Sequence, residues 1–192
     1  NAAGLGLVIN KLVASDARPG VIYPFIVRKA LAAERIGDAL GSVIFSPRAA
    51  GMTYQLAGSD VNFCAETSAG RYELLDIDGA LAHTNHWLGP SMRKFETAGW
   101  LSHAGSMVRR QVAAAFLKKH MGRITPELLQ ELTREHGNYP RSICAHGFAG
   151  EDEKSAFHTI FAVIMDPAAR RMDLCPGNPC ETAYEKHVIT ST

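Results

Sequence analysis

The sequence predicts an α+β domain, on three observations: short strand-like runs fill the first part of the chain, helical periodicities follow, and strand-like runs return in the last third. That order belongs to segregated layers rather than to a doubly wound sheet, and no repeat recurs at the periods that mark solenoids. At 192 residues the chain reads as one domain, residues 1–192, able to bury roughly 70% of its unfolded surface without staples. Hydrophobic residues make up 46%, charged residues 20%, and the net charge is +1, which excludes a disordered chain and offers no basic face for nucleic acid. No apolar run approaches the ~18–20 residues of a membrane span and no signal-peptide pattern is visible, so neither nucleic acid nor membrane is expected as a partner.

The elements follow in order. Gly4 to Asn10 reads as a buried strand entered almost at once. Since Asn1 is not an initiator methionine, the chain is expected to begin inside a folded unit whose upstream part was cleaved, trimmed or left out. Ala17-Arg18-Pro19-Gly20 is a turn, and Pro24 stands where a helix begins without losing a needed donor, so helical spacing predicts a helix from about Pro24 to Arg35. A second short helix is expected at Ile36–Leu40, with Asp38 as its cap. Met52–Leu56 and Val61–Glu66 around a glycine-containing turn predict a hairpin, and Arg71–Leu75 a third strand. Asp78-Gly79 turns the chain into Ala80–Trp87. Beyond Leu88-Gly89-Pro90-Ser91 a long helix is expected from Leu101 to about His120, ended by Gly122. Its Arg109-Arg110 and Lys118-Lys119 pairs read as a solvated face. Thr125-Pro126-Glu127 opens another helix, with an N-cap threonine, proline at its first position and an acid in its first turn, running to about His136. His158–Met165, a turn at Asp166–Arg171, Met172–Cys175 and an edge segment from Thr182 to Ile189 complete the strands.

Cys64, Cys144, Cys175 and Cys180 lack the Cys-x-x-Cys spacing of a zinc ribbon or redox motif and are too few for a disulfide framework, although a Cys175–Cys180 loop stays open. A reduced intracellular setting fits this usage, while the compartment stays unassigned. Cys144, between Ile143 and Ala145, reads as a buried inert thiol. Trp87 and Trp100 read as core or rim aromatics.

The candidate site is Ala80-Leu81-Ala82-His83-Thr84-Asn85-His86-Trp87, which holds polar side chains in a run where apolar residues would be cheaper to bury. As a strand it would send His83, Asn85 and Trp87 to one face and Ala82, Thr84 and His86 to the other. A fixed Asn85 amide can aim an N–H donor at developing negative charge, as an oxyanion hole requires. The competing reading is that His83 and Asn85 only satisfy backbone groups of a neighbouring loop. No metal site is expected, because on a strand His83 and His86 diverge and no His/Asp/Glu cluster shows ligand spacing among the eight histidines.

Four spaced motifs then agree: Asn1–Asn10, His83-Thr84-Asn85-His86, Asn138-Tyr139-Pro140 leading to Ser142-Ile143-Cys144, and Val163-Ile164-Met165-Asp166 before Ala169-Arg170-Arg171. Their order and separation resemble the acyl-coenzyme A:6-aminopenicillanic acid acyltransferase (isopenicillin-N acyltransferase) family across nearly the whole chain. The resemblance implies a four-layer αββα sandwich of the N-terminal nucleophile hydrolase type, of which this chain is the larger, C-terminal part. It implies autocatalytic exposure of an N-terminal cysteine, which attacks an amide or thioester with its own α-amino group as base and passes the acyl group to water or an amine. Asn85 matches the family's oxyanion-hole asparagine, with His83, Thr84 and His86 as structural support. Tyr139 and Ser155 are the candidates for lining the acyl pocket. Glu66 resembles a family glutamate and is expected to hold the next loop. The nucleophilic cysteine falls upstream of Asn1, so the implied partners are the nucleophile-bearing segment or chain of the same precursor and a small amide or thioester substrate; no cofactor is implied, and a homo-oligomer stays open. Ala145 and Ala156 stand where relatives carry arginine, which weighs against penicillin-type substrates. The alternative is a binding or structural homologue that keeps the fold without the chemistry.

Overall fold

In a computed structural model that describes residues 1–97, 99–147 and 157–190, the first strands form an antiparallel meander. Strands β1 (Gly6–Lys11), β2 (Met52–Ala57), β3 (Asn62–Thr67) and β4 (Tyr72–Leu75) lie side by side in that order. Helices α1 (Tyr23–Leu31) and α2 (Ile36–Ile44) intervene between β1 and β2 and cover one face. Ile26 and Ala30 of α1, Ala39 and Val43 of α2, and Met52, Tyr54 and Leu56 of β2 form the main core. Each large side chain buried there contributes roughly 1.5–3 kcal/mol. Because side chains alternate along a strand, placing Met52, Tyr54 and Leu56 under the helices turns Thr53 to the opposite face.

On that opposite face the register builds one polar row across all four strands. Asn10 of β1 stands opposite Thr53, Thr53 opposite Glu66 of β3, and Glu66 opposite Glu73 of β4. Thr53 and Glu66 are fully buried, so something polar covers them.

The second sheet, β5 (Phe161–Asp166), β6 (Arg171–Pro176) and β7 (Glu185–Val188), is also antiparallel and in sequence order. The start of β1 abuts its first turn: a Cβ on Gly6 would lie 3.2 Å from the Pro167 ring. Helix α3 (Trp100–Lys119) connects the halves, and α4 (Pro126–Thr133) packs on β5. The Thr125 hydroxyl accepts the Leu128 N–H at 3.3 Å and caps α4, as its sequence signature predicts. The architecture is therefore α+β with two antiparallel sheets and four α-helices among the described residues.

Several expectations are corrected. Asp38 lies in the first turn of α2 and pairs with Arg35 at 2.8 Å instead of capping, while the extended Arg35 backbone supplies the N-cap. Helix α1 ends at Leu31 and α4 at Thr133, because the chain must turn into α2 and into the Gly137 loop respectively. Strand β5 begins at Phe161 rather than His158: Thr159 is already spent on residues 143 and 145, with its N–H on the Ala145 carbonyl and its hydroxyl accepting the Ala145 N–H. The largest correction concerns Ala80–Trp87, which is not a strand. It crosses the polar face of the first sheet as a loop, held by side chains of the row instead of by a backbone ladder. No described helix is long and apolar enough to cross a membrane. All four cysteines are free.

Candidate active site

The loop that follows β4 is positioned from the row beneath it. Glu66 is the fixed point: its Oε1 accepts the Leu88 N–H at 2.6 Å and lies 2.8 Å from His83 Nε2, and its Oε2 accepts the Gly89 N–H at 2.9 Å. The His83 and Glu66 side chains are both fully buried. Thr53 Oγ1 approaches the same imidazole at 3.1 Å, and Asn10 Oδ1 lies 3.1 Å from its Nδ1. Glu73 finishes the row by accepting the backbone N–H and the hydroxyl of Ser91 at 3.1 and 2.6 Å. Two carboxylates directly opposite one another would repel; here backbone and hydroxyl donors are aimed at both. Gly89 is required where it stands, since a Cβ would meet the Glu73 carboxylate and lie 2.9 Å from Glu66 Oε2. The expectation that Glu66 holds the next loop agrees with this geometry.

A second set of contacts fixes the loop to α3 through Ser106, which is fully buried. Its hydroxyl accepts the Asn85 N–H at 2.7 Å and lies 2.8 Å from His86 Nδ1, while Thr84 Oγ1 donates to the Ser106 carbonyl at 2.9 Å. The loop backbone at Asn85 is thus pinned by a hydroxyl on a long helix.

The Asn85 side chain is held at both ends. Its Oδ1 accepts from Arg109 Nη2 at 3.0 Å, and its Nδ2 donates to the Lys11 carbonyl at 3.2 Å. The guanidinium can only donate, so it fixes which end of the amide is oxygen. An amide nitrogen carries two protons, and Lys11 accounts for one. Arg109 is therefore not part of a solvated face, as the sequence suggested: burial, with Arg141 nearby, pushes its pKa down, and its guanidinium lies 5.4 Å from the Phe157 ring. It also borders a cleft of about 470 Å³ together with Ser142, Ala145, Phe157 and Thr159.

His86 and His103 meet edge to face, with ring centroids 5.4 Å apart, beside a further cavity of about 430 Å³. Burial, and then the cationic forms of His103, His83 and Arg110, push the His86 pKa down to about 4. Because the unfolded imidazole titrates near ~6.5, the unfolded chain takes up this proton first as pH falls. His86 should therefore cost stability progressively between about pH 6.5 and about 4, by up to roughly 3 kcal/mol. Denaturant titrations at several pH values check this: the His86→Gln variant should lack that part of the acid slope, and identical slopes would remove His86 from it.

The other sequence candidates lie elsewhere. Trp87 is buried with Leu12 and Met92, as a core aromatic. The Trp100 side chain, Ser155 and Ala156 lie outside the described residues. Tyr139 is 65% exposed, and its ring packs on His136 and His146 with centroids 6.2 and 5.4 Å away. Asn10, Thr53, Ser106 and Arg109 were not singled out from sequence. The first two carried a usable signal, polar residues at inward positions of otherwise apolar strands. Ser106 and Arg109 carried none beyond their place on a helix.

The site thus combines an amide held at both ends, a buried carboxylate anchoring the loop that carries it, and a cleft beside the arginine that orients it. The model of one protein family, described as acyl-coenzyme A:6-aminopenicillanic acid acyl-transferase, matches residues 1–181.

Proposed function

Because the chain belongs to the acyl-coenzyme A:6-aminopenicillanic acid acyltransferase family, we propose that it forms the larger part of a cysteine amide hydrolase or acyltransferase with Asn85 as oxyanion-hole donor. The observation that carries this reading is the Asn85 amide, oriented by Arg109 and tied to the end of β1 through Lys11. A donor fixed before the reaction stabilises an oxyanion without reorganising at the moment charge develops.

In the proposed reaction a thiolate attacks the carbonyl carbon of a small N-acyl compound or thioester, and the carbonyl electron pair moves onto oxygen facing Asn85. Collapse of the adduct, with the proton taken from the thiol by the cysteine's own α-amino group delivered to the leaving nitrogen or sulfur, expels the amine or thiol and leaves an acyl-enzyme, which water or an amine then cleaves. The thiol comes from a cysteine outside these 192 residues, on a segment of the same precursor exposed by autocatalytic cleavage. Three of the chain's own cysteines support that assignment. Burial, and then Glu66, push Cys64 up to about 12, and burial also raises Cys175 and Cys180. None of the three is activated as a nucleophile would be. The whole precursor would close the two sheets into the four-layer αββα sandwich of N-terminal nucleophile hydrolases. Arg109 supplies a guanidinium to the same cleft as Ala145, where relatives carry arginine.

The test is intact-mass analysis of the full-length protein mixed with a panel of acyl thioesters and N-acyl amides. An acyl adduct on a processed N-terminal cysteine, discharged by added amine or water, is the expected result. A protein that forms no adduct with any of them and never exposes such a cysteine would instead be a homologue without the chemistry.

A further inference from the structure

Away from Asn85, two segments distant in sequence bring two imidazoles and two thiols to one point. His136, Cys144 and His146 lie on the α4–β5 connection, and Cys180 lies on the β6–β7 connection. The potential ligand atoms of all four lie within 4.8 Å of one another. The separations carry the argument. His136 Nε2 and His146 Nε2 are 3.1 Å apart, the Cys144 and Cys180 sulfurs 3.5 Å, and His146 Nε2 lies 3.6 and 3.4 Å from those sulfurs. Around a tetrahedral Zn²⁺, with Zn–S ~2.3 Å and Zn–N ~2.0–2.1 Å, the corresponding edges are about 3.3 Å for N–N, about 3.8 Å for S–S and about 3.6 Å for N–S. Four of the six edges of such a tetrahedron are thus already near their zinc-bound lengths, and the two from His136 to the sulfurs are at most 4.8 Å.

The geometry points to a structural His₂Cys₂ zinc site formed by His136, Cys144, His146 and Cys180. Two thiolates and two neutral imidazoles around Zn²⁺ sum to zero charge, and assembly releases the two thiol protons to solvent. The surroundings match what a bound metal needs. Asn178 Nδ2 lies 3.4 Å from the Cys144 sulfur and donates to the Ala145 carbonyl at 2.8 Å, so its amide steadies both the ligand and its backbone. The Glu181 carboxylate stands 3.9 Å from His146 Nδ1, the nitrogen that does not face the cluster, beyond hydrogen-bond length but on the side from which carboxylates support zinc-bound histidines. Backbone hydrogen bonds from Cys144 to Glu135 and from His146 to Pro140 set the loops in advance. With all four positions filled by protein the site has no place for a substrate, so its work is to join the α4–β5 and β6–β7 connections. Ser142 and Ala145, beside the ligands, line the cleft that Arg109 borders, so the metal would brace one wall of it. The proposal departs from the metal-free expectation because no two of these ligands except Cys144 and His146 are close in sequence. It stands independently of the acyl-transfer reading.

The test uses full-length protein made with zinc in the medium and purified without chelator. Elemental analysis should find one zinc per chain that survives gel filtration, and cobalt substitution should give the intense visible bands of a four-coordinate thiolate site. A thiol reagent should reach Cys144 and Cys180 only after a chelator is added. Cys180→Ala, at an exposed position, should keep the native circular dichroism and lose the metal, while Glu181→Gln should keep it about tenfold more weakly. Failure to retain zinc after saturation, a Cys144–Cys180 disulfide in the native mass, or undiminished zinc in Cys180→Ala would each overturn the proposal.

Discussion

Replacing the proposed oxyanion-hole donor Asn85 by alanine in the full-length protein should lower kcat by ~10²–10³, equivalent to roughly 2.7–4 kcal/mol of transition-state stabilisation. The fold should survive, because the substitution removes one bond to the Lys11 carbonyl and one from Arg109 at a half-buried position, a loss of about 1 kcal/mol each. KM should change little, since a donor aimed at the oxyanion contributes most when charge has formed. Asn85→Asp is the sharper variant. It keeps the shape and gives Arg109 a better partner, yet puts an acceptor where the donor was, so its rate should fall at least as far as that of the alanine variant. Arg109→Met should lower kcat with a smaller effect, by freeing the amide to turn. Steady-state kinetics on these three variants would remove Asn85 from the mechanism if alanine and aspartate both left the rate unchanged.

Glu66→Ala should destabilise the protein by roughly 3–5 kcal/mol, a large share of the ~5–15 kcal/mol that holds a domain together. Three groups lose their acceptor at once: the His83 imidazole and the Leu88 and Gly89 amides, all gathered on one buried carboxylate. A buried donor left unpaired costs ~1–3 kcal/mol. Glu66→Gln retains one acceptor oxygen and should lose less than half as much. Urea denaturation measures both, and an alanine variant within ~1 kcal/mol of the parent would mean that the loop finds other acceptors.

What the sequence disclosed, and what it did not, divides along the range of the forces involved. The Met52–Thr67 hairpin, the Thr125 cap and the ends of α3 were legible because turn residues, capping hydroxyls and helical periodicity act over a few positions. The single-residue reading of Glu66 also agreed with the structure, through family resemblance. Ala80–Trp87 was misread because a short run of polar residues looks alike on an edge strand and on a loop laid across a sheet. Only the register that sets Asn10, Thr53, Glu66 and Glu73 in line tells them apart. Arg109 looked solvated because its neighbours in sequence are basic and polar, whereas Asn85 and Phe157 reach it from distant segments. Cys144 is buried, as its apolar context indicates, but that context says nothing of Cys180, whose sulfur lies 3.5 Å away.

The polar row also bears on how the sheet finds its pairing. In a strand a slip of one residue exchanges the two faces. Sliding β3 by one position against β2 would send Glu66 under α1 and α2, among Ile26, Val43 and Tyr54, and would bring an apolar neighbour out to meet His83. A carboxylate without donors in that setting is far more costly than a poorly fitted methyl group. The row therefore works as a built-in alignment check on the meander, rejecting near-miss pairings that the apolar side alone would tolerate, so the residues that seat the Asn85 loop also make the sheet fold in a single register.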